Sequence, residues 1–123
     1  MEKEFIPYEQ ALALKELGFD EPCFCRYCIK TIFEEPTGEI LLQNKDCKIY
    51  QNRFLTKVPL YQQAFRWFRE KYNLHQVILA DHKFKYDIIV GERIAGSCLG
   101  QYNTYEEAEL ECLKRLIEIV KNK

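Results

Sequence analysis

From Thr104 to Lys123 the chain spells out one amphipathic helix from cap to last turn, and so one-sided a helix has to be laid against something. Thr104 and Glu107 form a T-x-x-E box, in which each side chain satisfies a backbone N–H orphaned at a helix start. Ala108, Cys112, Leu113, Leu116, Ile117, Ile119 and Val120 then recur at three- and four-residue spacings on one side of a 3.6-residue period. Glu106, Glu107, Glu109 and Glu111 crowd the first half and Lys114, Arg115, Lys121 and Lys123 the second, the order that suits the helix dipole. That order reads as helix stability before it reads as a binding surface. Glu109 breaks the pattern: by helical angle it falls inside the apolar arc, between Tyr105 and Leu116. A carboxylate there needs water, an ion-pair partner or another protein.

Such a helix needs a core to bury it, and 123 residues with 47% apolar content suffice for one core rather than two. A single domain over residues 1–123 is expected. With 18 basic and 19 acidic residues the net charge is −1, which excludes a global field for holding nucleic acid or anionic lipid. Any such binding must be local. The opening Met-Glu-Lys-Glu-Phe-Ile-Pro lacks a basic n-region followed by an apolar run, and nowhere do eighteen apolar residues follow one another. The expectation is a soluble cytoplasmic protein with no membrane partner. In that compartment Cys23, Cys25, Cys28, Cys47, Cys98 and Cys112 are expected as reduced thiols, mostly behaving as small buried apolar residues.

Earlier in the chain, Pro7 suits the first turn of a helix that runs through Tyr8–Leu17 and stops at Gly18, with Phe19 placed to fold back and Pro22 forbidding continuation. Residues 23–33, rich in Phe, Tyr, Ile, Thr and Cys, predict a strand, Glu-Glu-Pro-Thr-Gly a turn, and Glu39–Leu42 the hairpin partner. A third short strand is expected at Cys47–Tyr50. Pro59 opens a second helix whose Leu60, Tyr61, Ala64, Phe65, Trp67, Phe68 and Tyr72 share one arc, and Asn73 takes its left-handed cap. Leu74–Ala80 and Phe84–Val90 read as a hairpin across Asp81-His82-Lys83, and Gly91–Asn103 as a glycine-punctuated loop. The order αββ(β)αββα predicts an α+β domain with one antiparallel sheet and three helices packed on one face.

Three blocks carry a resemblance: Phe5-Ile-Pro-Tyr-Glu-Gln-Ala-Leu-Ala-Leu-Lys-Glu-Leu-Gly-Phe-Asp-Glu-Pro-Cys-Phe, Pro59-Leu-Tyr-Gln-Gln-Ala-Phe-Arg-Trp-Phe-Arg-Glu-Lys-Tyr, and Tyr105-Glu-Glu-Ala through Leu-Ile-Glu-Ile-Val-Lys. In them the chain resembles small uncharacterised phage and prophage proteins of Bacteroidetes-type bacteria over nearly its whole length. The resemblance implies a small accessory protein in the host cytoplasm that acts on a host or defence component. It supplies no catalytic residues.

No catalytic constellation is complete. Cys23-x-Cys25-x2-Cys28 is the sharpest metal-like cluster, because Cys25 and Cys28 have the gap of a zinc knuckle. It lacks a nearby fourth ligand, and a regular strand would point these residues to both faces, so buried strand residues are the stronger reading. Gly96-Ser-Cys98-Leu-Gly100 imitates a nucleophile elbow with Cys98 as the nucleophile and His75 or His82 as base, but Gln101–Thr104 separates it from the following helix. A flexible loop with turn glycines fits better. The same loop lacks the Gly-Lys-[Ser/Thr] ending of a phosphate cradle. Lys45, Lys48, Arg53 and Lys57 share one segment with Tyr50 and Phe54 interleaved, and Arg66 and Arg69 follow on the exposed side of the second helix. Basic residues among aromatics grip phosphates and stack bases, yet charged faces are most often simply solvated. The leading expectation is therefore a non-enzymatic, cofactor-free protein that binds a bacterial host protein and is open to self-association. A nucleic-acid or nucleotide binder using residues 45–69 and a small thiol enzyme at Cys98 are the alternatives.

Overall fold

A computed structural model describes residues 4–32, 35–44, 53–98 and 100–122, the side chains of Ile32, Asn44, Arg53 and Asp81 excepted. Its elements are α1 (Tyr8–Glu16), β1 (Cys25–Ile32), β2 (Glu35–Asn44), β3 (Arg53–Val58), α2 (Tyr61–Tyr72), β4 (His75–Asp81), β5 (Lys83–Val90), β6 (Arg93–Ser97) and α3 (Tyr105–Lys121). The class is α+β. The chain falls into two compact units, Phe5–Leu60 and a C-terminal unit of Glu4 with Tyr61–Lys123.

Within Phe5–Leu60, Pro7 precedes α1 and its carbonyl accepts from Ala11 N–H at 2.9 Å. Gly18 takes φ 101°, a conformation glycine adopts without steric cost, and lets Phe19 N–H reach Leu14 O at 3.0 Å. Phe19 is thereby folded back and buried, as the sequence predicts. The ends of this unit are tied together: Phe5 bridges Leu60, and Ile6 N–H donates to Pro59 O at 3.1 Å. Its sheet has the order β2-β1-β3, both pairings antiparallel. Pro36 and Gly38, read from the sequence as turn residues, lie inside β2, an outer strand where a missing N–H costs no ladder bond. The strand expected at Cys47–Tyr50 lies outside the described residues. The one observed after it, β3, covers Phe54-Leu-Thr-Lys-Val58, where the sequence predicts a loop; Phe, Thr and Val in that run favour a strand.

In the C-terminal unit, α2 buries Tyr61, Ala64, Phe65, Trp67 and Phe68, and Asn73 caps it at φ 56°. Trp67 meets both Phe68 and Tyr72 edge-on, with centroids 5.0 and 5.5 Å apart. Helix α3 begins as its capping box demands: Thr104 Oγ1 accepts from Glu107 N–H at 3.1 Å. The reciprocal bond is displaced by one residue, Glu107 Oε2 accepting from Asn103 N–H at 3.3 Å. Ala108, Cys112, Leu113 and Leu116 are completely buried. Their sheet has the order β4-β5-β6, again antiparallel. The face carrying Tyr86 and Ile88 lies under α3; Phe84 meets Tyr105 edge-on, and a side chain added at Gly96 would touch Arg115 and Ile119.

Two expectations are corrected. Among the described residues there is not one sheet but two of three strands, and the three helices do not share one face: α1 packs with β3 in one unit, α2 with β4 and α3 with β4 and β5 in the other. Each strand finds its partners within a few tens of residues, where loop closure is least costly, so one sheet is built from strands before α2 in the chain and the other from strands after it. The second correction is β6, inside the segment read as loop. Gly91 at φ 61° turns the chain back, and the open edge of β5 pairs with whatever follows it.

Candidate functional site

The Phe5–Leu60 unit carries a divided groove whose geometry begins with a β-bulge. Along β1, Tyr27 pairs with Thr56 but Cys28 pairs with Phe54, so Leu55 is the extra residue on β3. In a regular strand Phe54 and Lys57 would point to opposite faces. The bulge puts both on the face of Arg26 and Cys28, and the carbonyl of Leu55 accepts from Lys15 Nζ at 3.4 Å. Two recesses flank this pair. The larger, about 310 Å³, is lined by Pro22, Cys23, Cys25, Arg26, Phe54 and Lys57. The smaller, about 110 Å³, lies toward α1 and shares Phe54 and Lys57 with it. Phe54 is 49% exposed, and Phe24, between the two groove cysteines in sequence, is 64% exposed.

The groove's thiols are apolar lining rather than reactive groups. Burial pushes the Cys23 thiol up to about 11, outweighing nearby Lys57, and burial also raises Cys25. Cys23 Sγ contacts Glu21 O at 3.3 Å. Both are protonated at neutral pH and present sulfur to the recess as a soft, weakly polar surface. The charge at the rim is mixed, Lys57 and Arg26 lining the recess while Asp20 and Glu21 lie near Cys23: Lys57 Nζ holds Asp20 Oδ1 at 2.9 Å, and that hydrogen bond lowers the pKa of the Asp20 carboxyl. Asp20 is exposed, so the pair is screened by water and exchangeable.

The predicted site residues are dispersed. Lys45 and Lys48 lie outside the described residues, as does Cys47, and of Arg53 only the backbone is described, at the start of β3. Lys57 lines the groove. Arg66 is exposed and Arg69 half-buried on α2, in the other unit. The cysteine cluster is spread: Cys23 precedes β1, Cys25 is half-buried and Cys28, 1% exposed, occupies the alternate register position. Among the described residues no three His, Cys, Asp or Glu side chains converge on a metal position. Cys98 follows the last residue of β6, its N–H donating to Tyr86 O at 3.2 Å. Instead of turning directly into a helix the chain then bridges from Tyr102 to Phe84 before α3 begins, so the strand-to-helix elbow is not formed. His75 Nε2 is 2.9 Å from Asn73 Oδ1, and His82 occupies the β4–β5 turn at φ 62°. No described helix is long and apolar enough to cross a membrane.

The groove itself was not foreseen. Phe54 stood out only as an aromatic among basic residues, and Phe24 not at all, because neither the bulge at Leu55 nor the exposure of an aromatic ring leaves a mark in a single sequence. Fold and groove together define a small α+β protein with a surface recess of apolar and charged walls. Comparison with protein-family models, with curated proteins and with solved structures returns no match.

Proposed function

We propose that this chain is a non-enzymatic protein binder, and that its groove receives an apolar side chain of a partner protein with an acidic residue beside it. The observation that carries the reading is the placement of Phe54: half exposed, held by a bulge, and shared by two recesses whose walls combine apolar groups with charged side chains, Lys15, Asp20 and Lys57 in the smaller and Arg26 and Lys57 in the larger. Half-exposed aromatic rings beside a recess are the usual anchors of protein interfaces, since burying one removes a large apolar area at little cost in side-chain entropy. Lys57 at the rim favours a carboxylate, which exchanges with Asp20 for the lysine. The phage-type resemblance makes a bacterial host or defence protein in the cytoplasm the partner we favour.

A random peptide library panned against the full chain tests this. Enriched sequences should join an aromatic or large aliphatic residue to a neighbouring Asp or Glu, and should bind the Phe54→Asp variant at least about tenfold more weakly, a loss typical of one anchor residue. Peptides indifferent to Phe54→Asp would remove the groove from the reading. Tight binding of single-stranded DNA that weakens steeply with salt would replace it with the nucleic-acid alternative.

A further inference from the structure

Two three-stranded sheets have four outer strands, β2, β3, β4 and β6, each with a row of backbone groups that no described strand pairs. Three of them carry the features that stop such edges from pairing with other chains. β2 holds Pro36 and a Gly38 at φ 85°, β3 holds Arg53 and Lys57, and β6 is five residues long with Arg93 and Gly96. All three also meet their neighbours through a shifted register. β4 has none of these defences. His75-Gln-Val-Ile-Leu-Ala-Asp81 contains no Lys, Arg, Pro or Gly and pairs with β5 through seven consecutive positions without a break. On the face turned away from α3, β4 itself is apolar at its middle, where Val77 and Leu79 stand opposite Asp87 and Lys85 of β5, with Ile89 and Ile94 further along that face; Leu79 and Ile94 are 45% and 66% exposed.

We propose that β4 pairs antiparallel with β4 of a second copy of this chain, about a two-fold axis at Ile78, joining two three-stranded sheets into one of six strands. The strand is self-complementary in that register. Val77 stands opposite Leu79 of the second copy, Gln76 opposite Ala80, and Ile78 opposite itself. At both ends His75 meets the acidic Asp81, so the interface is isologous with opposite polarity at its rims and apolar residues at its centre. A slip of two residues in one direction sets Asp81 against Val77; in the other it carries Asp81 past the end of the strand. The proposal is independent of the groove, which belongs to the other unit.

Sedimentation equilibrium of the full chain measures it. A seven-residue edge buries less than a standard interface, so a dimer with Kd of about 1–100 µM is expected. Leu79→Lys places a charge opposite Val77 of the second copy at two points and should leave only monomer, whereas Ile94→Lys, on the same face but on β6 at the sheet's other edge, should leave the dimer intact. Far-UV circular dichroism and the thermal midpoint verify that both variants fold. His75→Asp opposes two like charges and should raise Kd about tenfold, and adding Asp81→His should restore it. A chain monomeric at about 1 mM overturns the proposal. So does a dimer unmoved by Leu79→Lys, and failure of the double variant to recover affinity overturns the register.

Discussion

Glu109 lies on α3 inside the arc that faces the core, and no hydrogen bond or ion pair reaches its carboxylate among the described residues. Burial, and then the like charges of Glu106 and Glu4, push its pKa from the ordinary 4.5 up to about 7. The folded state therefore binds this proton more tightly than the unfolded chain between pH 4.5 and 7. Stability is present in full below that window and falls as pH rises through it. Unscreened, the shift is worth about 3 kcal/mol; because the group is only partly buried, solvent screening reduces this to about 1 kcal/mol. Glu109→Gln keeps the shape and removes the ionisation. Urea denaturation of both proteins at pH 5 and pH 8 should show similar stability at the lower pH and an advantage of about 1 kcal/mol for the variant at the higher, equivalent to about 4 °C in Tm. If the difference between the two proteins does not change with pH, or grows toward acid, Glu109 is not held in a desolvated, like-charged environment and the packing of α3 is misjudged.

Thr104→Ala removes the acceptor for Glu107 N–H at the start of α3 and should lower the unfolding free energy by about 1 kcal/mol in urea, with Thr104→Ser restoring most of it. Cys112, wholly buried and with its thiol pushed up to about 12 by that burial, should resist a disulfide-exchange reagent at pH 8 until denaturant is added. Native-state labelling of Cys112 as fast as of a free thiol would mean that the apolar face of α3 does not stay closed.

Local chemistry was legible where it is complete within a few residues. The stop at Gly18 followed by Phe19 folding back, the left-handed Asn73, the Thr104 cap and the aromatic arc of α2 each depend on backbone conformation and spacing inside one element, and all four are found, the return bond of Glu107 alone moving to Asn103. The hairpin across His82 belongs with them. Exposure and pairing depend on what arrives from elsewhere in the chain. Phe54-Leu-Thr-Lys-Val became a strand because β1 had a free edge, and Arg93–Ser97 because β5 had one.

The sequence by itself determined the three helices, their ends and the α+β class, since helical period and capping are properties of contiguous residues. Only the tertiary structure decided that the strands divide into two sheets, that one extra residue at Leu55 sets Phe54 and Lys57 side by side, and that Glu109 is short of water. Hydrogen-bond partners across a sheet and the solvent around a side chain are shared between distant segments, and their energies have no value until those segments meet.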